Sequence, residues 1–178
     1  DLARKYFLKL KNRESNFILN NFLSNVLLNW VSLKDLDLNT AQNKINGGDS
    51  RFENLRNIQN VFLHCFYKSQ KTEFFFKELV LNQKMDFSRY NYFYATYLLN
   101  NGELEKSKKI VSSSLKLYPR NLLLNQLKLD LNNAKHKNDF NCQSLSNIVA
   151  EIFYITANAL ASEDIYPFSN FYLNLSKY

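Results

Sequence analysis

Glycine, proline and cysteine are scarce in this sequence. The 178 residues include three glycines, two prolines and two cysteines. A sheet protein of this length needs many turns, and turns use glycine and proline heavily. Both residues are also poor in helix interiors, so their scarcity favours long helices with short connections. The composition therefore argues against an all-β protein and predicts an all-α fold.

The two cysteines, Cys65 and Cys142, stand far apart and form no CxxC motif. Such a pair does not make the disulfide framework of a small secreted domain. We therefore expect free thiols, buried or half-buried, with a slight preference for a reducing, cytoplasmic location. No apolar run approaches the roughly 20 residues of a spanning helix, so no membrane span is expected.

Acidic residues are outnumbered, and the net charge is +7. The basic residues are spread along the chain, with modest clusters at residues 4–13 and 106–109. A nucleic-acid binder usually gathers its charge into one patch or stripe. Nucleic acid is therefore not the expected partner, although a stripe containing Arg56 and Arg89 would make the chain a helical-repeat RNA binder.

Reactive side chains do not assemble into a catalytic or metal-binding motif. A zinc site needs about four ligands with close paired spacing, whereas the adjacent His64 and Cys65 point to different faces of a helix. Glu103 and Glu105 suit the start of a helix, and Glu105 is expected to pair with Lys109, four residues on. We predict no enzymatic activity, no catalytic residue, no metal site and no cofactor.

The clearest structural unit is SRYNYFYATYLLNNGELEKSKKIVSSSLKLYPRN, residues 88–121. Its first half has apolar residues at helical spacing and stops at the turn signal ending in Gly102. A second apolar stripe starts at Leu104 and runs until Pro119. Two helices joined by so short a turn must pack antiparallel.

A second copy of this pattern occupies residues 150–178, shifted by a constant offset of 62 positions. Small residues recur where two helices must approach closely, and larger apolar residues recur where the space between them is filled. The aligned pairs are Ala95 with Ala157, Leu98 with Leu160, Ser107 with Ser169, Val111 with Leu173, and Ser114 with Ser176.

The remaining chain is predicted to contain more degenerate helical pairs. Helices are expected at residues 16–32, 39–45, 51–70 and 73–81, and a lone leucine-rich helix at 121–133. A polar stretch follows the lone helix. The predicted organisation is therefore a run of hairpins over residues 1–133, a linker at 134–146, and a further hairpin at 147–178.

Residues 88–121 resemble the tetratricopeptide repeat, whose usual length is 34 residues. The family's small, turn and terminal proline positions are matched by Ala95, Ser107, Ser114, Gly102 and Pro119. Two positions of this repeat depart from the family, since Asn91 and Leu98 stand in place of its Trp and Tyr anchors. In the second copy, Asp164 stands where Gly is common.

The layout is also similar to bacterial tetratricopeptide proteins in which degenerate pairs, a lone helix and a linker precede a cleaner pair. This resemblance implies a right-handed α-solenoid of antiparallel helical hairpins. Because the second copy lacks the terminal proline, the array is expected to continue past Tyr178.

The resemblance also implies a function, since the first helices of such hairpins line a concave groove that binds a peptide or helix. We therefore expect a non-catalytic protein–protein interaction scaffold whose partner is another protein or peptide; its oligomeric state is left open. The alternatives are the RNA-binding module and a non-catalytic region of a larger enzyme. The predicted groove residues are Arg89, Tyr92, Thr96, Asn100, Tyr154, Asn158, Arg56 and Gln59.

Overall fold

The computed structural model describes residues 4–5, 8–9, 18–47, 52–81, 88–133 and 140–177. Every regular element in these ranges is helical, and no strand occurs among them, so the all-α prediction is confirmed. The helices are α1 (Ile18–Val31), α2 (Leu38–Asn46), α3 (Glu53–Phe66), α4 (Thr72–Leu81), α5 (Ser88–Asn100), α6 (Leu104–Leu117), α7 (Leu122–Asn132), α8 (Leu145–Ser162) and α9 (Tyr166–Leu175), with a short 3₁₀ helix at Leu33–Asp35.

Local side chains set where several helices begin. The carboxylate of Asp37 accepts a hydrogen bond from the backbone N–H of Thr40 at 3.0 Å, which caps α2. Asn121 caps α7 in the same way, its side-chain oxygen accepting from the N–H of Leu124 at 3.1 Å. Such caps satisfy backbone donors that have no partner inside the helix.

The helices fall into two compact units. The first unit consists of Asp1–Tyr67 together with Gln143–Tyr178, and the second of Lys68–Cys142. Inside the first unit, α1 packs on α2, α8 and the 3₁₀ helix, α2 packs on α3, and α8 packs on α9. Inside the second unit, α5 packs on α4, α6 and α7, and α6 packs on α7.

The predicted organisation divides the chain into consecutive segments, whereas the first unit combines two segments that are separate in the sequence. The observed divisions lie at 67/68 and 142/143, the latter inside the predicted linker. Within that linker, residues 140–143 are not helical, and residues 134–139 lie outside the described part of the chain.

Large side chains fill the core of each unit. In the first unit, Trp30 and Phe62 are fully buried, and the ring of Trp30 meets Phe66 edge-on at 6.4 Å. In the second unit, the buried ring of Phe76 on α4 stacks on Tyr94 of α5, with centroids 5.4 Å apart. Aromatic burial of this kind supplies much of the hydrophobic stabilisation of a small helical core.

Two small residues allow α5 and α6 to approach closely. Ala95 on α5 and Ser107 on α6 are both fully buried. The Ser107 hydroxyl donates a hydrogen bond of 2.8 Å to the backbone carbonyl of Ala95, so its polar group is satisfied inside the packed interface. The contact shows why a small residue with a donor suits this position.

The hairpins α5–α6 and α8–α9 close with the same backbone turn. Gly102 and Asp164, which are 62 positions apart, both have positive φ, at 79° and 59°. The N–H of the following residue bonds at 2.9 Å to the carbonyl of Leu98 in one hairpin and of Leu160 in the other. The copy predicted at residues 150–178 therefore forms the same kind of hairpin turn as its counterpart.

The cysteine prediction is wrong. Cys65 on α3 and Cys142 just before α8 are both buried and both disulfide-bonded, and neither is a free thiol. Disulfide formation depends on the separation of the Cα atoms in the fold, which sequence spacing does not give. The slight preference for a reducing compartment rested on free thiols and loses its basis.

The turn at Gly102 predicts a backbone-specific effect of substitution. No atom lies within 4 Å of where an alanine Cβ would sit, so Gly102→Ala meets no steric clash with neighbours. Its cost arises from the left-handed φ alone, about 1–2 kcal/mol. Urea unfolding should show that loss, whereas Ser112→Ala on the exposed face of α6 should unfold like the wild type. Equal urea midpoints for both variants would contradict a left-handed backbone requirement at Gly102.

The close approach at Ser107 predicts sensitivity to side-chain size. Ser107→Leu would put three carbon atoms in place of the hydroxyl between α5 and α6 and should destabilise the protein by about 1–3 kcal/mol or prevent folding. Ser112→Leu, an identical change at an exposed position of α6, is the matched control. Thermal denaturation followed by circular dichroism compares them, and a Ser107→Leu protein as stable as its control would refute the packing account.

Candidate interaction surfaces

The four groove residues predicted in the second unit all lie on α5, but they differ in exposure. Tyr92 is 8% exposed and Thr96 is 3% exposed, whereas Arg89 is half-buried and Asn100 is exposed. Because α5 packs on three helices of its own unit, its central turns have no open face. Tyr92 and Thr96 are therefore interior residues rather than an open polar surface, and Arg89 and Asn100 are the accessible members of the set.

Arg89 lies against an aromatic stack. Its guanidinium carbon is 5.0 Å from the centroid of the Phe93 ring. The same ring stacks on Phe140, with centroids 4.1 Å apart and an angle of 17° between the planes. Cation–π contact with Phe93 orients the guanidinium, and its planar fork of donors suits a carboxylate.

In the first unit, the predicted residues Arg56 and Gln59 lie on α3. Gln59 is only 4% exposed, and its side-chain oxygen accepts a hydrogen bond from the indole N–H of Trp30 at 3.4 Å. This bond satisfies the polar tip of a buried tryptophan, which gives Gln59 a role in the core. Arg56 is half-buried.

The other two predicted residues of the first unit, Tyr154 and Asn158, lie one turn apart on α8. Asn158 is exposed and Tyr154 is half-buried. The amide nitrogen of Asn158 donates to the backbone carbonyl of Tyr154 at 3.0 Å. This bond holds the Asn158 side chain along the helix and leaves its oxygen and a second N–H for other partners.

Two surface features of the first unit were missed in the sequence. The first is the outer side of α9, where Tyr166, Phe168 and Phe171 are 56–60% exposed. Its sequence, YPFSNFYLNL, has aromatic residues all around the helix and no charged residue. That pattern could have indicated an exposed aromatic surface, because a single helix face cannot bury all of these aromatic side chains.

The second feature is a cleft of about 420 Å³ whose walls include α1 and α2. Arg4, Asn29 and Lys44 are among its lining residues. These residues come from distant stretches of an Asn- and Lys-rich sequence. No local spacing marked them as a group.

A network of polar side chains ties α4 to α5. The Tyr94 hydroxyl donates to the carboxylate of Glu73 at 3.2 Å, and Lys77 pairs with the same carboxylate at 2.8 Å. The hydrogen bond from Lys77 lowers the pKa of Glu73, although burial partly opposes the shift. Burial, and then the nearby charge of Glu73, raises the pKa of Tyr94. This network fixes a buried tyrosine and is explained by structure alone.

The acidic residues at the start of α6 pair with its own lysines. Glu103 lies 3.3 Å from the ammonium of Lys106, and Glu105 lies 2.8 Å from that of Lys108. The expected pairing of Glu105 with Lys109 is therefore replaced by a pair with a spacing of three residues. Both spacings bring side chains together on a helix, and sequence alone does not choose between them.

Within the described ranges, no three His, Cys, Asp or Glu side chains gather into a group able to hold a metal ion. None of the described helices is both long and apolar enough to cross a membrane. No protein-family model, curated protein or solved structure matches the chain.

The buried Tyr94 predicts a dependence of stability on alkaline pH. Its pKa is raised in the folded state, so above pH 10.0, the ordinary value, the unfolded chain loses the phenolic proton first. Stability should therefore fall as the pH rises above 10, by up to about 1.4 kcal/mol per pH unit from this residue.

Tyr94→Phe isolates that contribution. The variant lacks the hydrogen bond to Glu73, so its free energy of unfolding should be about 1–2 kcal/mol lower at pH 7. That free energy should fall less steeply above pH 10 than in the wild type. Urea unfolding of both proteins from pH 7 to 11.5 measures the difference. Parallel stability curves would contradict the raised pKa.

Proposed function

We propose that this chain is a non-catalytic protein–protein interaction scaffold, built as a right-handed α-solenoid of antiparallel hairpins of the tetratricopeptide type. The observation that carries the proposal is the shared turn of α5–α6 and α8–α9, with positive φ at Gly102 and Asp164. The buried small residues Ala95 and Ser107 recur as Ala157 and Ser169 at the same offset and are again buried. Repetition of one hairpin is the basis of a solenoid, and solenoids offer extended binding surfaces.

Packing in the second unit supports this architecture. Helix α5 contacts both the next helix, α6, and the one after it, α7. Stacked hairpins make such contacts, because each first helix meets its own partner and the first helix of the following pair. Lys68, 34 positions before Gly102, also has positive φ, at 53°, and 34 residues is the length of a tetratricopeptide repeat.

In each unit, the accessible residues of the first helices supply the recognition chemistry. Asn158 and Tyr154 on α8 offer amide groups and an amphipathic ring, which suit the backbone of an extended peptide. Arg89 on α5 offers a guanidinium held over Phe93, which suits an acidic side chain. These groups bind and orient a partner without any reactive centre.

The charge distribution gives less support to RNA binding. Lys77, Lys106 and Lys108 each pair with a glutamate on their own helix or immediately before it. Cations neutralised in this way do not form the continuous stripe that a phosphate backbone needs. The net charge of the chain therefore overstates the positive potential of these helix surfaces.

A selection from a displayed peptide library tests the proposed scaffold function. Enriched peptides are synthesised, and their affinity for the protein is measured by fluorescence anisotropy. Asn158→Ala should weaken binding about tenfold, a loss typical of one important contact at an interface. Tyr154→Phe retains the ring and should cause a smaller loss.

Asn170→Ala is the matched control, because Asn170 is an exposed asparagine on the second helix of the same hairpin. It should bind peptides like the wild type, and all three variants should keep the wild-type melting temperature. If no peptide is enriched, or if Asn158→Ala and Asn170→Ala bind equally well, the α8 surface assignment fails.

A further inference from the structure

The cleft of about 420 Å³ lies within the first unit. Helix α1 contributes Asn25, Leu28 and Asn29 to it, which share one face of the helix by their spacing, and Ser32 follows at the end of the helix. Helix α2 contributes Lys44 from its last turn, and Arg4 completes the positive side. The volume falls in the range of sites that hold a small molecule or a short peptide segment.

The polar side chains of the cleft retain unused hydrogen-bonding capacity. Among the described residues, the side chains of Asn25, Asn29 and Ser32 have no hydrogen-bond partner. Ser32 is 7% exposed, so its hydroxyl is largely shielded from bulk solvent. Two amides and a hydroxyl that face one space can bind a polar group without first breaking bonds to the protein.

The charged residues that line the cleft, Arg4 and Lys44, are both positive. Lys44 is the one charged residue of α2, and α1 has none. Arg4 pairs with Asp35, but that pair leaves most of the five guanidinium N–H donors available. Lys44 is exposed and has no ion-pair partner in the described part of the chain. The walls formed by α1 and α2 therefore present a cation and no carboxylate.

The cleft also has an apolar side. Leu28 on α1 is half-buried and lines the same space as the asparagines. A ligand that fits must therefore combine an anionic head, which reaches Lys44 and Arg4, with a short aliphatic part that rests on leucine. A carboxylate is matched both by the planar fork of arginine and by the amide donors.

We infer that this cleft binds carboxylates carried on a short aliphatic chain, whether from a free organic acid or from a peptide. The ammonium of Lys44 and the guanidinium of Arg4 hold the carboxylate. The amides of Asn25 and Asn29 and the hydroxyl of Ser32 complete its hydrogen bonds, and Leu28 contacts the aliphatic part. This site is separate from the peptide surface proposed on α8.

Isothermal titration calorimetry of the whole chain with hexanoate tests the inference. Hexanamide has nearly the same shape without the charge, and it should bind at least tenfold more weakly. Lys44→Met removes the ammonium and keeps the aliphatic stem, and it should weaken hexanoate binding about tenfold. Lys44→Arg should restore most of the affinity.

Lys5→Met is the matched control, because it removes one exposed positive charge close to Arg4 in sequence from a residue that does not line the cleft. It should leave hexanoate binding unchanged. A short glutamate-containing peptide distinguishes the source of the carboxylate: Lys44-dependent binding of this peptide without hexanoate binding assigns the site to peptides and supports the inference.

The inference is overturned if neither hexanoate nor the peptide binds when added at 10-fold molar excess over millimolar protein. It is also overturned if Lys44→Met binds them as well as the wild type does. Asn158→Ala should leave hexanoate binding intact. The failure of the α8 surface and the failure of this cleft are therefore distinguishable.

Discussion

The close approach of α5 and α6 at Ala95 and Ser107 is the contact on which the second unit depends. A larger side chain at either position would separate the helices, and a small residue without a donor would leave the Ala95 carbonyl without this hydrogen bond. Once the two helices are in contact, α7 can pack on both of them. The first unit also buries small residues at the matching positions, Ala157 and Ser169.

Sequence reasoning succeeded where the determinants are local. The helix pair at residues 88–121 follows from apolar spacing, a glycine that adopts positive φ, and a proline beyond the second helix. Asp164 replaces that glycine in the second copy, and the turn survives because aspartate tolerates the left-handed region better than most residues. The constant offset of 62 positions was therefore a better guide than the identity of the turn residue.

Sequence reasoning was weaker where the outcome depends on distant contacts. The chain segment containing α8 and α9 joins the unit formed by residues 1–67, and no periodicity along the sequence encodes that choice. The same limit applies to the groove residues, because a helical wheel identifies a face without showing what covers it. Tyr92, Thr96 and Gln59 had the right chemistry for a polar surface, yet each is buried. The cleft residues were invisible for the complementary reason, since they are unremarkable one by one and become a group only when α1 meets α2.

Local pairing decides what the positive charge of this chain can do. A net charge of +7 suggests an affinity for polyanions. However, Lys106 and Lys108 of α6 pair with glutamates at or just before the start of that helix, and the fields of each pair largely cancel at a distance. Lys44 differs because its helix contains no acid and because it lines the cleft. A partly enclosed site strengthens each interaction relative to water. Lys44 has no ion-pair partner in the part of the chain that the structure describes, so its position matters more for the proposed carboxylate site than the total charge does.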